Sequence, residues 1–506
     1  MMHVPRLGVA LLSCILAAAF PHPVSHFQRD ALNIGNFRYG LGEKPPTTNA
    51  YNLPPSQDEW YTPPADWEGT APGAVLRVRE HAYPTINIKN TLDTFQVLYR
   101  TEDTNGDKSW AVATVFIPVM HAGCPGYIYN GTNTTNSTNT TGNGWCAHGV
   151  VSYQVPTDSV SPDAAPSYLL QAREPYGEMR DMLAKGWFVA VPDYEGPGAA
   201  YCAGVQAGHA TLDGVRAVLD VGGRFGLGKG TEEKGVRAAL WGYSGGAFAT
   251  EFAAELATAY SPELMTNGSL VGAVVGGPAP NLTTVDMLMN DKDTTGLVVA
   301  SVMGVTAQQP HARDYLVGRL KTEGARNKTA WMGVEKMSGV DALTAFANQS
   351  VYDYFTGGEG DLWGAVVQGG IDSDAVMGIH GTPGATGNAS QVGNKGEGGT
   401  LPVFFYKAVA DEMSPINETD QLVEKYCSRG ANILYHRNTI GGHNDELWSG
   451  RLRALDFLAA VLDDTPPRNF TIPTPAEGCK TENVTVPLDV LYLLPDWWWT
   501  EGPKWR

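Results

Sequence analysis

Residues 240–260 read LWGYSGGAFATEFAAELATAY. The apolar run VRAALW (236–241) enters a five-residue turn, GYSGG (242–246), and AFATEFAAELA (247–257) leaves it with helical periodicity. This is the G-x-S-x-G pattern in a strand-to-helix context. A reversal this tight crowds the positions two before and two after the serine, so Gly242 and Gly246 stand where no β-carbon fits. The turn lifts the Ser244 hydroxyl above the carboxyl end of a strand, at the amino end of a helix whose orphan N–H groups favour developing negative charge. An ordinary Gly/Ser turn is the bland alternative, and the strand and helix flanks favour a nucleophile over it.

A serine hydroxyl needs a base to take its proton and an acid to orient that base. On this kind of elbow the chain order is Ser, then Asp or Glu, then His. The strand-like run PVFFYKAVA (402–410) ends at Asp411, and ANILYHR (431–437) is followed by IGGHNDE (440–446), which carries His443. Both residues fall just beyond carboxyl ends of strands, where open α/β sheets bind ligands. The rivals fit less well. His436 lies inside its strand, and His148 and His209 precede the serine. Glu412 points away from the direction of Asp411, Asp420 sits in a helix, and Asp445 is too close to His443 to orient it from another loop.

Around the elbow the pattern is that of an α/β protein. Short β-patterned runs come first: FQVLYRT (95–101), WAVATVFIP (110–118) and HGVVSYQV (148–155). Then helices alternate with strands through YGEMRDMLAKG, WFVAVPDY, TLDGVRAVLDVGGRF, GVRAALWGYS and LVGAVVGG. This order predicts a mixed, mostly parallel sheet with helices on both faces. The alternation stops between about 278 and 400, where helical pieces such as TTGLVVASVMGVTA (294–307) and PHARDYLVGRL (310–320) precede a Gly-rich stretch; a strand resumes at LPVFFYKAVA. We expect an insertion there. A strand and an amphipathic helix over about 446–462 complete the core. The predicted organisation is therefore a leader over 1–19, an N-terminal arm and the first part of the core over 20–277, an inserted helical lid over 278–400, and the rest of the core with a C-terminal flap over 401–506. Within the insertion, the apolar piece Leu297–Val305 reads either as a lid face that opens at a lipid surface or as a packed helix. Glu195-Gly196-Pro197 reads as a structural turn at a strand end with Cys202 near it, with Glu195 lining the pocket as the alternative. Trp497, Trp498 and Trp499 read as a flap or as simple packing.

The net charge of −18 and the lack of any Lys/Arg cluster argue against nucleic acid as a partner. Arg6 precedes an apolar run from Leu7 to Phe20 that ends in small residues, the pattern of a cleavable secretory signal, and no stretch has the roughly twenty apolar residues of a spanning helix. Twelve N-glycosylation sequons agree with secretion to the extracellular space: Asn130, Asn133, Asn136, Asn139, Asn267, Asn281, Asn327, Asn348, Asn388, Asn417, Asn469 and Asn483. Five cysteines follow the leader. Cys124 and Cys146 bracket the Asn/Thr-rich tract, where a bridge would close a short loop worth about 3 kcal/mol. The other expected pair is Cys427 with Cys479, which leaves Cys202 free. No spacing resembles a zinc site, and no metal or cofactor is expected.

With these residues placed, the chain resembles the fungal secretory lipases of the lipase A type. EWYTPP, PGAVLRVR, TFQVLYRTEDTNGDKSWAVATVFIP, SYQVPTDS, APSYLL, PDYEGPGAAY, LDGVRAVL, WGYSGGAFAT, VVGGPAPNL, ADEMSPI and GGHNDE occur in that family's order across most of the chain. The resemblance implies an α/β-hydrolase core with a helical lid inserted after the strand ending near Gly277. It implies a triad of Ser244, Asp411 and His443, and an ester or lipid substrate met at a lipid–water interface. The oxyanion would be held by the Gly245 backbone N–H and, by the same resemblance, by Asp158 of SYQVPTDS, whose carboxyl must be protonated to donate. A turn-forming Asp before Ser159 is the alternative for Asp158. Relatives tend to carry a cysteine just before APSY, where Asp163, Ala164 and Ala165 stand here, so one family disulfide is expected to be absent. The readings set against a lipase are an esterase or peptidase on soluble substrates and a non-catalytic, hydrolase-like binding protein.

Overall fold

The computed structural model describes residues 52–83, 88–120, 147–171, 177–228, 235–384 and 401–488, with the backbone of 128–129 and 132–133. The leader over 1–19, the Cys124–Cys146 bridge, the sequons at Asn130, Asn136, Asn139 and Asn388, and the tail tryptophans lie outside the described residues.

Ten strands form one sheet. In chain order they are β1 (Val75–Glu80), β2 (Thr91–Glu102), β3 (Lys108–Pro118), β4 (Gly149–Gln154), β5 (Phe188–Pro192), β6 (Arg237–Tyr243), β7 (Leu270–Gly276), β8 (Pro402–Ala408), β9 (Asn432–Asn438) and β10 (Lys480–Val484). Their spatial order is β1-β2-β3-β5-β4-β6-β7-β8-β9-β10. The first three strands and the β3–β5 pair are antiparallel, and every pair from β5 onward is parallel. The edge strands β1 and β10 have no counterpart among the sequence expectations; both are half-buried at best, so neither shows the apolar run of an inner strand.

The helices of eight or more residues are α1 (Gly177–Ala184), α2 (Gly204–Gly222), α3 (Gly245–Tyr260), α4 (Leu282–Met289), α5 (Thr295–Ala307), α6 (Pro310–Arg319), α7 (Gly339–Phe346), α8 (Ala365–Asp374), α9 (Ile416–Ser428) and α10 (His443–Asp463). The inner strands are apolar on both faces because both faces are covered. Along β4, Val150 packs in one cluster and Val151 in the other; along β8, Val403 and Phe405 belong to the cluster that holds α2 and α3, while Phe404 and Tyr406 belong to the one that holds α1 and α10. This period-two division is the packing logic of a sheet between two helical layers.

Helices α4–α8 continue the first cluster rather than standing apart from it. In α5 all positions from Thr295 to Thr306 are buried, and a β-carbon on Gly304 would lie 2.2 Å from Tyr201 O. Of the two readings of Leu297–Val305, the structure shows the packed helix. The segment that carries α4–α8 is tied down at its far end too, where the Glu255 carboxylate on α3 accepts N–H bonds from Gly378, His380 and Gly381.

Cys427 and Cys479 are bridged, and Cys202 is free and buried. Asp163 accepts bonds from Ser56 N and Oγ at 2.9 and 2.7 Å and so fastens the segment around Ser56 by hydrogen bonds.

Candidate active site

The elbow is built as tightly as its glycines suggest. Ser244 has φ 55° and ψ −122°, a conformation a non-glycine residue holds only when its surroundings force it. A β-carbon on Gly242 would lie 2.1 Å from Gly246 O, and one on Gly246 would lie 1.8 Å from Gln154 O. The Ser244 N–H donates to Gly276 O at 2.9 Å, which anchors the turn to β7.

Ser244, His443 and Asp411 come together from β6, α10 and the end of β8. His443 Nε2 lies 2.9 Å from Ser244 Oγ, and Nδ1 lies 2.8 Å from Asp411 Oδ2. The other oxygen of Asp411 accepts from Met413 N at 3.0 Å and Ser414 N at 2.9 Å, which fixes the carboxylate plane. Burial alone would raise the pKa of Asp411, but the charge and hydrogen bond of His443, then Lys407, then Ser414 N–H hold it well below the usual carboxylate range.

His443 opens α10, three residues before the helix start expected from the sequence. Gly442 leads into the helix and its N–H donates to Asp445 Oδ2 at 3.1 Å, so the acidic residue set aside as an orienter closes the turn that presents the histidine. Glu412 also belongs to the site: its Oε2 accepts the His443 N–H at 2.9 Å. The Tyr243 hydroxyl donates to His443 O at 2.5 Å. The remaining rivals lie elsewhere. Asp420 pairs with Arg437, His148 with Asp463, and His436 packs beside Arg453 and Glu482. His209 lies on α2 against Asp103 O.

Gly245 and Asp158 flank the serine. Gly245 supplies the first amide of α3, an orphan donor by position. A β-carbon built on it would lie 2.6 Å from Asp158 Oδ1, so the carboxyl sits directly over this glycine. Asp158 has φ 51°, is 2% exposed, and its Oδ2 has no hydrogen-bond partner among the described residues. Burial pushes its carboxyl up to about 6, against the pull of the Tyr201 hydroxyl and of His443. Its loop is pinned by Ser159 Oγ donating to Met337 O, just before α7, at 2.8 Å.

Ser244, His443, Gly245 and Asp158 share one cavity with about 540 Å3 of empty space, solvent opening included. Phe248, Leu282, Val285, Met289, Leu297 and Met413 make its apolar wall, so α4 and α5 roof Ser244. Glu195 does not line this cavity; it lines a smaller one with Thr157 and Asp193 behind the Asp158 loop. The sequence reading missed Lys407, although a lysine within PVFFYKA, four residues before Asp411, was a visible anomaly in an apolar strand.

A model of the secretory lipase family matches residues 177–469. The chain is 38% identical over 436 residues to a trichothecene C-3 esterase of Fusarium sporotrichioides, covering 86% of this chain and 88% of that one. It is 34% identical over 459 residues to lipase A of Arthroderma benhamiae, covering 86% and 84%. Among solved structures, Candida antarctica lipase A matches with a TM-score of 0.65 at 23% identity, covering 90% of this chain and 94% of that one, which shows a shared α/β-hydrolase fold.

Proposed function

The chain belongs to the secretory lipase family and is an ester-cleaving, lipase-like hydrolase, and on that premise we propose that it works by acyl transfer through Ser244, His443 and Asp411. The hydrogen-bonded line from Asp411 through His443 to Ser244 Oγ carries this reading. Ser244 Oγ attacks the ester carbonyl carbon while its proton passes to His443 Nε2. Asp411, bonded to Nδ1, fixes the tautomer that leaves Nε2 free to accept. The carbonyl oxygen, now negative, takes N–H of Gly245 and the protonated carboxyl of Asp158. The departing alkoxide takes the proton from His443, and water repeats the sequence in reverse to release the acid and regenerate Ser244.

Triacylglycerols are the substrate the apolar roof favours, with the enzyme secreted after removal of residues 1–19 and the segment over 278–400 acting as its cap. A second reading, a carboxylesterase on a soluble ester, is favoured by the burial of α5, whose apolar side chains are packed inside the protein rather than turned toward a lipid surface, and by the relative named for a trichothecene ester. Initial rates on p-nitrophenyl esters from acetate to palmitate, with Ser244→Ala alongside, test both. Serine-dependent turnover that rises toward long chains and on emulsified substrate supports the lipase. Turnover confined to short chains supports the esterase, and turnover retained by Ser244→Ala would overturn the acyl-enzyme mechanism.

A further inference from the structure

The apolar face of α4 contains one residue that does not belong there by pattern. Leu282, Val285, Asp286 and Met289 share a helical stripe and all four line the cavity of Ser244. Asp286 is 1% exposed. An acid on the inner face of a pocket wall is costly unless its polar atoms are used. Half of them are: Asp286 Oδ2 lies 2.7 Å from Ser301 Oγ on α5, which also lines the cavity.

The protons decide what the other half can do. Ser301 has one hydroxyl hydrogen and two candidate acceptors, Asp286 Oδ2 at 2.7 Å and Val298 O at 2.9 Å. Both contacts are satisfied together when Asp286 is protonated: Oδ2–H donates to Ser301 Oγ, and Ser301 O–H donates to Val298 O. Burial pushes the Asp286 carboxyl well above its ordinary range, against the pull of the Ser301 bond, in agreement with that arrangement. The remaining oxygen, Oδ1, is then a carbonyl acceptor. It has no hydrogen-bond partner among the described residues.

We propose that Asp286, held by Ser301, is a specificity-determining residue that accepts a hydrogen bond from a hydroxyl group of the substrate, so that the pocket selects hydroxylated esters over plain alkyl esters of the same size. The proposal rests on the serine-hydrolase reading above and names the substrate class for it. A substrate without the hydroxyl leaves a buried acceptor desolvated and unpaired, which is how polar pocket groups reject apolar analogues. The hydroxyl belongs to the acyl or to the alcohol portion, and two matched pairs separate these sources.

The acyl pair is p-nitrophenyl butyrate against p-nitrophenyl β-hydroxybutyrate; the alcohol pair is hexyl acetate against the primary monoacetate of hexane-1,2-diol. The full-length enzyme is expected to prefer the hydroxylated member of one pair by about 10-fold or more in kcat/KM. Asp286→Asn keeps that ratio, because the carboxamide presents the same acceptor and its NH2 replaces the proton donated to Ser301. Asp286→Leu brings the ratio to about 1. Stoichiometric labelling of Ser244 by a fluorophosphonate reports that each variant is folded. If Asp286→Leu does not label, Ser301→Ala, which removes the group that aims the carboxyl, is expected to lower the ratio by more than half. No preference in either pair, or a full preference retained by a labelled Asp286→Leu or Ser301→Ala, overturns the proposal while leaving the hydrolase reading intact. Turnover of none of the four esters, with no labelling of Ser244 by the fluorophosphonate and no turnover of p-nitrophenyl palmitate, overturns both; labelling or palmitate turnover without turnover of the four overturns the proposal alone.

Discussion

The Lys407 ammonium, fully buried in β8, lies 3.4 Å from Asp411 Oδ2 and donates to Pro278 O at 2.6 Å. One side chain thus joins the acid of the site to the first turn beyond β7. Burial pulls the pKa of Lys407 down, and Asp411 pulls it back up. Lys407 touches no reacting atom and is a positioning residue. Lys407→Met keeps the volume but leaves a buried carboxylate without its cation and a carbonyl without its donor. We expect a loss of about 3 kcal/mol in unfolding free energy. We also expect a fall of about 10-fold in kcat with little change in KM, since the misplaced imidazole matters most in the transition state. Urea unfolding and steady-state kinetics on one ester check both, and a kcat equal to wild type would remove Lys407 from the positioning network.

The elbow glycines are expected to differ in kind. At Gly246 the obstacle to a β-carbon is the backbone oxygen of Gln154 at 1.8 Å, which belongs to the neighbouring strand and cannot move. Gly246→Ala should therefore fail to give soluble protein. At Gly245 the obstacle is the side chain of Asp158, so Gly245→Ala should fold but displace the carboxyl and lower kcat on the order of 100-fold. Equal behaviour of the two variants in expression and thermal melting would contradict this account.

The oxyanion role proposed for Asp158 has a pH signature. Its folded carboxyl, raised by burial to about 6 from an ordinary 3.8, donates only while protonated. As pH rises through about 6 the donor is lost, so kcat/KM of the wild type should decline on that side. The carboxamide of Asp158→Asn donates at every pH, so this variant should lack the decline, and Asp158→Ala should be depressed on the order of 100-fold throughout. A decline near pH 6 that persists in Asp158→Asn would assign it to another group.

How far the sequence reaches is shown by these same residues. GYSGG, ADE and GGH each lie at a strand end, where local pattern reports both backbone and chemistry, so the α/β-hydrolase sheet and the approach of Ser244, Asp411 and His443 were legible. What was not legible depends on directions that spacing does not encode. Glu412, expected from its place next to Asp411 to turn away from the site, instead reaches the same histidine and accepts the His443 N–H at 2.9 Å. The start of α10 at His443 depends on Asp445 closing back on Gly442, a cap that an apolar-periodicity reading begins too late to see. The β1 and β10 strands are edges whose half-burial mutes alternation. The fate of Leu297–Val305 turned on neighbours far away in the chain, among them Tyr201 and Ala342.

Stability should be greatest in mildly acidic solution. Burial raises Asp193 to about 7 despite its bonds from Ser167, and raises Asp374 to about 6 despite bonds from Val205 N and Thr104 Oγ1. It raises Glu178, whose two carboxyl oxygens have no hydrogen-bond partner among the described residues, to about 7. In the unfolded chain these acids ionise near pH 4. Between about pH 4 and 7 the unfolded chain has therefore released protons that the folded chain still binds, so unfolding free energy falls as pH rises and levels off above that window. Asp411 acts in the opposite sense: its folded pKa is depressed, so its contribution is lost as pH falls below the ordinary carboxylate range. The maximum lies between these limits, near pH 4–5. A tenfold displacement of one ionisation is worth about 1.4 kcal/mol, so the thermal midpoint should drop by about 5 °C or more from pH 5 to pH 8. Glu178→Gln, which cannot ionise, should lose part of that drop. A midpoint that holds or rises from pH 5 to pH 8 would mean that these carboxyls are ionised in the folded chain.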